Sequence, residues 1–106
     1  MEKVVRGGFV AVLYSPRYGA GWYSWHRREA LLFHPTIVEL VEKDQRHLIT
    51  DKLVATILGT ENYVCILGAK DLEIEWIEEG EMFEINEYDG NESVRIHSQT
   101  SGFIKA

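Results

Sequence analysis

Cysteine occurs once, at position 65. A single thiol cannot close an internal disulfide, so a reducing compartment such as a cytoplasm is the expected setting. Long apolar runs are missing too. No stretch approaches the ~20 consecutive apolar residues of a membrane helix, and no membrane partner is expected. Polar and charged residues interrupt the first eight positions, which is not the layout of a secretory signal. Lysine and arginine are absent from residues 71–92, where ten Asp or Glu fall within 22 positions. The net charge is −6. An acidic chain is a poor general binder of nucleic acid, because phosphate affinity rests on a cationic surface.

Metal and catalytic signatures are equally sparse. The four histidines, His26, His34, His47 and His97, show no zinc spacing and have only Cys65 to help them, so neither a metal nor a cofactor is expected. Cys65 sits in an apolar stretch, which fits an inert buried thiol better than a nucleophile. No Ser/His/Asp set or pair of catalytic carboxylates stands out. The chain therefore reads as non-enzymatic, with a small hydrolase using His26 and a nearby carboxylate as the third choice.

What is present is an ordinary 45 % apolar share in 106 residues. That is enough for one domain, 1–106, with a modest core. Residues 8–14, GFVAVLY, suit a strand buried on both faces. His34-Pro35-Thr36 reads as a helix start with proline at the first position, and Ile37, Leu40 and Val41 then recur at helical spacing. A second helix is predicted from Thr50 or Asp51, with Leu53, Val54, Ile57 and Leu58 on its apolar face and Gly59 as its stop.

Beyond that the period becomes two. Residues 63–67, YVCIL, read as a second fully apolar strand. Leu72, Ile74 and Trp76 alternate with Glu73 and Glu75, as a half-buried strand does. Glu79-Gly80 and Asp89-Gly90 are hairpin-type turn signals, flanking Phe83 and Ile85 and followed by Val94 and Ile96. The tail from Ser98 reads as weak strand or coil. The expected fold is α+β: a two-layer sandwich with a mixed, mostly antiparallel five-stranded sheet and two helices on one face. The two most apolar strands are placed side by side. If parallel, they are joined by a right-handed crossover through the helices, and the last four strands form a meander.

Residues 14–28, YSPRYGAGWYSWHRR, concentrate five of the twelve aromatics and three of the six arginines around two glycines. Glycine lets backbone approach a ligand and turn its amides toward an anion. Arginine pairs bidentately with phosphate or carboxylate, and Tyr and Trp supply stacking faces. The set matches a nucleotide-like anion: Arg17, Arg27 and Arg28 for phosphate, Tyr18, Trp22 and Trp25 for stacking, Gly19 and Gly21 for close approach, and His26 as a donor beside them. Glu87, Tyr88 or Asp89 is expected to reach back to this loop, which places Tyr88 and Trp22 on the same side of the fold. The pattern is neither a dinucleotide fingerprint nor a Walker A loop. A packed structural loop and a protein-binding hot spot, where aromatics and arginine dominate, stand beside the ligand reading.

The acidic stretch has its own alternatives. A solvated outer sheet face protects edge strands from unwanted pairing. A flat row of carboxylates can instead mimic the phosphates of DNA and occupy a cationic groove. It can also dock the Arg-rich loop of a second copy, which favours a homo-oligomer.

Three segments, YGAGWYSW at 18–25, FHPTIVELVE at 33–42 and FEINEYDGNESV at 83–94, together resemble small accessory proteins of tailed phages and prophages. Those carry a comparable Gly-rich aromatic loop, a Phe-Asp-Pro-type helix start and a Glu-Tyr-Asp-Gly-x-Glu segment. Here His34 replaces the usual acidic cap. The resemblance covers most of the chain and brings no catalytic residue with it. It implies a phage protein acting in the bacterial host cytoplasm against host defence. One route is sequestration of a small nucleotide-derived immune signal in an oligomer-made pocket. The other is inhibition of a host defence protein by contact or by the acidic, nucleic-acid-mimicking face.

Overall fold

The computed structural model describes residues 2–19, 21–61, 66–97 and 104–106. Strand β1 (Val5–Arg6) turns back on β2 (Phe9–Tyr14), and β2 pairs along its whole length with β3 (Glu73–Glu78). In the β2–β3 register Val10 faces Ile77 and Leu13 faces Ile74. Val10, Ala11, Val12 and Leu13 are all fully buried, as their unbroken apolar run predicts.

The helices begin and end where local chemistry dictates. A short helix α1 (Ala30–Phe33) runs directly into α2 (Pro35–Glu42). His34 separates them at φ −59° and ψ 123°, outside the helical region, and its Nδ1 accepts the Thr36 amide at 3.2 Å. That bond satisfies one of the orphan donors of α2. In α3 (Asp51–Leu58) the cap is Thr50, whose Oγ1 accepts from the Leu53 amide at 3.1 Å, and Gly59 ends it at φ 69°. Left-handed backbone at that position is what glycine supplies without a Cβ clash. Helix α1 packs on β2 and α2 on β3, while α3 contributes Val54 to the core. Among the described residues no helix is long and apolar enough to cross a membrane.

The sheet differs from expectation. The described strands form two three-stranded antiparallel sheets, β1-β2-β3 and β5-β4-β6, in place of one mixed five-stranded sheet. The second comprises β4 (Met82–Tyr88), β5 (Asn91–His97) and β6 (Ile104–Lys105). Glu79-Gly80 does form the expected turn, with the Glu81 amide donating to the Glu78 carbonyl at 3.0 Å and Gly80 at φ 93°, but β3 and β4 do not pair across it, so it acts as a corner. The Glu79 amide donates to the Gly8 carbonyl, the Gly80 amide donates to the Ala106 carbonyl, and the Ala106 amide donates to the Glu81 carbonyl. The chain leaves one sheet there and enters the other, and β6 takes the edge of β4 that β3 would hold in a meander. Asp89-Gly90 does form the tight β4–β5 turn, with φ of 50° and 85°. Two consecutive positive φ values match the right-handed strand twist.

The expected strand at 63–67 lies largely outside the described residues, and so do Cys65 and the proposed side-by-side pairing. Of that stretch, Leu67 opens a 3-10 turn that runs to Asp71. One apolar cluster joins both sheets and the helices. Phe33 of α1 meets Phe83 of β4 edge to face at 6.2 Å, a geometry that adds to their area burial.

Candidate functional site

The aromatic loop leaves the end of β2 and crosses the tip of the β4–β5 hairpin. One carboxylate joins the two. Glu92, the second residue of β5, is 1 % exposed. Its Oε1 accepts from the Ser15 amide at 3.0 Å. Its Oε2 accepts from the Trp22 amide at 2.9 Å, the Ser24 amide at 2.7 Å and the Ser24 hydroxyl at 2.6 Å. The Glu92 amide in turn donates to the Ser15 carbonyl at 2.8 Å, and the Gly19 amide to the Asp89 carbonyl at 2.7 Å. A buried charge is tolerable only when paired or fully hydrogen-bonded, and here backbone amides provide most of that pairing. The hydroxyl of Ser15 is buried beside this cluster without a hydrogen-bond partner among the described residues.

The loop's rings part ways. Trp22 is fully buried, and its indole N–H donates to the Leu31 carbonyl at 2.6 Å. Expected to stack on a ligand, it is instead core, tying the loop to α1. Tyr23 is buried as well. Trp25 keeps 46 % of its surface exposed and lies against the Gly21 backbone. A Cβ at Gly21 would stand 2.6 Å from both Trp25 Cδ1 and Ser24 Oγ, so glycine is required there for close approach. Tyr18 and Tyr88 are 67 % and 76 % exposed, and their rings meet edge to face at 6.2 Å. The hairpin tip therefore does meet the loop, through the Tyr88 ring and the Asp89 carbonyl. The Glu87 carboxylate turns inward on its own hairpin and accepts the Gly90 amide at 2.6 Å.

The cations also diverge. Arg17 is largely exposed, with Nε 3.7 Å from Asp71 Oδ1. Arg28 donates to the Leu58 carbonyl at 3.1 Å, at the end of α3. The Arg27 guanidinium lies over the Tyr23 ring at 5.9 Å. His26 is half-buried, and its amide donates to the Tyr23 carbonyl. Among the described residues no three His, Cys, Asp or Glu side chains gather as a metal site.

A separate groove of about 330 Å³ is lined by Val4, Arg6, Pro35, Val38, Glu39, Glu42 and Lys43. Its charges already pair with one another, Arg6 with Glu42 and Lys43 with Glu39. A charged ligand entering it would have to displace those partners.

Glu92 escaped the reading of the sequence as a functional position. A signal existed: period two puts Glu92 on the same strand face as Val94 and Ile96. A carboxylate on an apolar face, two residues after an Asp-Gly turn, asks for buried donors. Comparison with known protein families, with curated proteins and with solved structures finds no match to this chain.

Proposed function

We propose that this chain is a non-enzymatic binding protein of the phage accessory kind, which captures a nucleotide-like anion on the outer side of its aromatic loop. The exposed Tyr18–Tyr88 pair carries the reading. Two large rings held in solvent by separate segments offer planar faces to a base. Trp25 adds a third half-exposed ring, and Arg27, which has no carboxylate partner among the described residues, supplies a cation for phosphate, with Arg17 nearby but facing Asp71. With Trp22 in the core and Arg28 engaged at the end of α3, ligand contact falls to Tyr18, Trp25, Tyr88 and Arg27. The buried Glu92 cluster favours a preorganised surface, which lowers the entropy lost on binding.

A second reading draws on β3. Glu73 and Glu75 are exposed and share a sheet face with Tyr14. Burial first, and then the charges of Glu75 and Glu73, hold the Tyr14 phenol above its usual range. A negative potential of that kind suits contact with a cationic groove on a host protein.

Calorimetry against ATP, NAD and cyclic di-GMP tests the first reading, with Tyr88→Ala and Tyr18→Ala as variants. Binding that weakens in both variants supports it. Equal affinity in both removes the ring pair from the site. Binding of a host protein that depends on Glu73 and Glu75 and fades with salt would favour the second reading.

A further inference from the structure

Three described residues other than glycine have positive φ: Arg27 at 57°, Asp44 at 56° and Asp89 at 50°. Aspartate visits this region with help from local hydrogen bonds to its short side chain. Arginine has no such help, and the Cβ clash that makes the left-handed region unfavourable applies to it in full.

The local geometry explains why the backbone is there. The amides of His26 and Arg27 both donate to the Tyr23 carbonyl, at 3.0 and 2.7 Å, closing a single helical turn. The residue that ends such a turn is normally glycine. This loop spends glycine at Gly19, where φ is 100°, and at Gly21, where the Trp25 ring leaves no room for a Cβ. At 27 it carries a long cation instead. Strained backbone of this kind persists where the surrounding structure holds it in place, and it clusters at active sites and ligand clamps.

The placement of the side chain fits such a use. Among the described residues no carboxylate pairs with Arg27, whereas Arg17 faces Asp71 and Arg28 is engaged at Leu58. The Tyr23 ring lies beneath the guanidinium at 5.9 Å and orients it by cation–π attraction. Two residues earlier, the half-exposed Trp25 ring is set in place by Gly21.

We infer that Arg27 is the anion-contacting, specificity-determining residue of the loop surface, kept at a left-handed backbone position that glycine would occupy with less strain. The inference rests on the ligand reading above and narrows it to a nucleoside phosphate: the ring stacks near Trp25 and a phosphate oxygen pair meets the Arg27 fork.

Arg27→Gly and Arg27→Lys, with Arg17→Ala as a charge control, are compared by thermal melting and by calorimetry with ATP, NAD and cyclic di-GMP. Arg27→Gly is expected to melt above the wild-type protein and to bind the nucleotide roughly tenfold or more weakly, the loss of a charge-assisted hydrogen bond. Arg27→Lys keeps the charge and the strained backbone, so it should melt like wild type and still bind less well for want of the fork. Arg17→Ala should lose less affinity than Arg27→Gly. Wild-type affinity in Arg27→Gly overturns the inference and leaves the ligand reading standing. A lower melting temperature in Arg27→Gly also overturns it, by making Arg27 structural. No binding by the wild-type protein to any of the three nucleotides at millimolar concentration overturns the ligand reading and this inference together.

Discussion

Replacing Glu92 by alanine should be among the most damaging single changes in the chain. The substitution removes the acceptor of four hydrogen bonds and strands the amides of Ser15, Trp22 and Ser24 together with the Ser24 hydroxyl. Each buried donor left unpaired costs about 1–3 kcal/mol. Water entering the vacated space recovers part of the sum, so the net loss lies near the lower end of that range, about 1 kcal/mol for each of the four donors. We expect roughly 4 kcal/mol, against a total stability of about 5–15 kcal/mol for a small domain. In a chain of this size that is a fall in Tm of about 15–30 °C.

Glu92→Gln sharpens the test. Its amide oxygen can take the place of Oε2, where three donors converge, but its NH2 then faces the Ser15 amide donor to donor. One bond becomes a repulsion and the others lose their charge assistance, so a loss of about 1–3 kcal/mol is expected. The assay is urea unfolding followed by circular dichroism and by tryptophan fluorescence. Amide exchange at Trp22 and Ser24 reports the loop directly. Glu92→Ala within ~1 kcal/mol of wild type, or Glu92→Gln falling below Glu92→Ala, would refute the reasoning.

Three further outcomes are accessible. Gly21→Ala must push aside the Trp25 ring and Ser24 Oγ, both 2.6 Å from the new Cβ. It should lose about 1–3 kcal/mol and shift the Trp25 emission, and an unchanged spectrum would count against the described packing. His34→Asp places a stronger, anionic cap at the start of α2 and should gain about 0.5–1 kcal/mol in urea unfolding; a loss would mean that the imidazole does more than accept the Thr36 amide. For Tyr14 the raised phenol value means that the fold favours the neutral ring. Its contribution is whole below about pH 10 and is lost as pH rises through the folded-state value. Tyr14→Phe should flatten that alkaline fall, and Glu73→Gln with Glu75→Gln should bring the phenol back toward its ordinary range in a tyrosinate titration.

The parts of this molecule legible along the chain are those governed by neighbours within a few residues. Pro35 opens α2, Thr50 caps α3 and Gly59 ends it because capping and left-handed backbone are local matters. The apolar run at Val10 and the Asp89-Gly90 turn are legible for the same reason. The short α1 at Ala30–Phe33 was missed, since four residues are too few to show a helical period.

Long-range pairing decided the rest. Glu79-Gly80 makes its turn locally, but its own amides bond to Gly8 and Ala106, partners that no local window contains, and so the flanking strands enter different sheets. Trp22 and Trp25 stand three residues apart with similar neighbours, and only the packed chain sends one to the core and leaves the other half in solvent. Glu92 looks like one more acid in an acidic run until residues some 70 positions away bring it their amides. Torsional preference and capping act within a few residues and so can be read along the chain. Burial and hydrogen-bond satisfaction depend on which distant segments meet, and they exist only once the chain has folded.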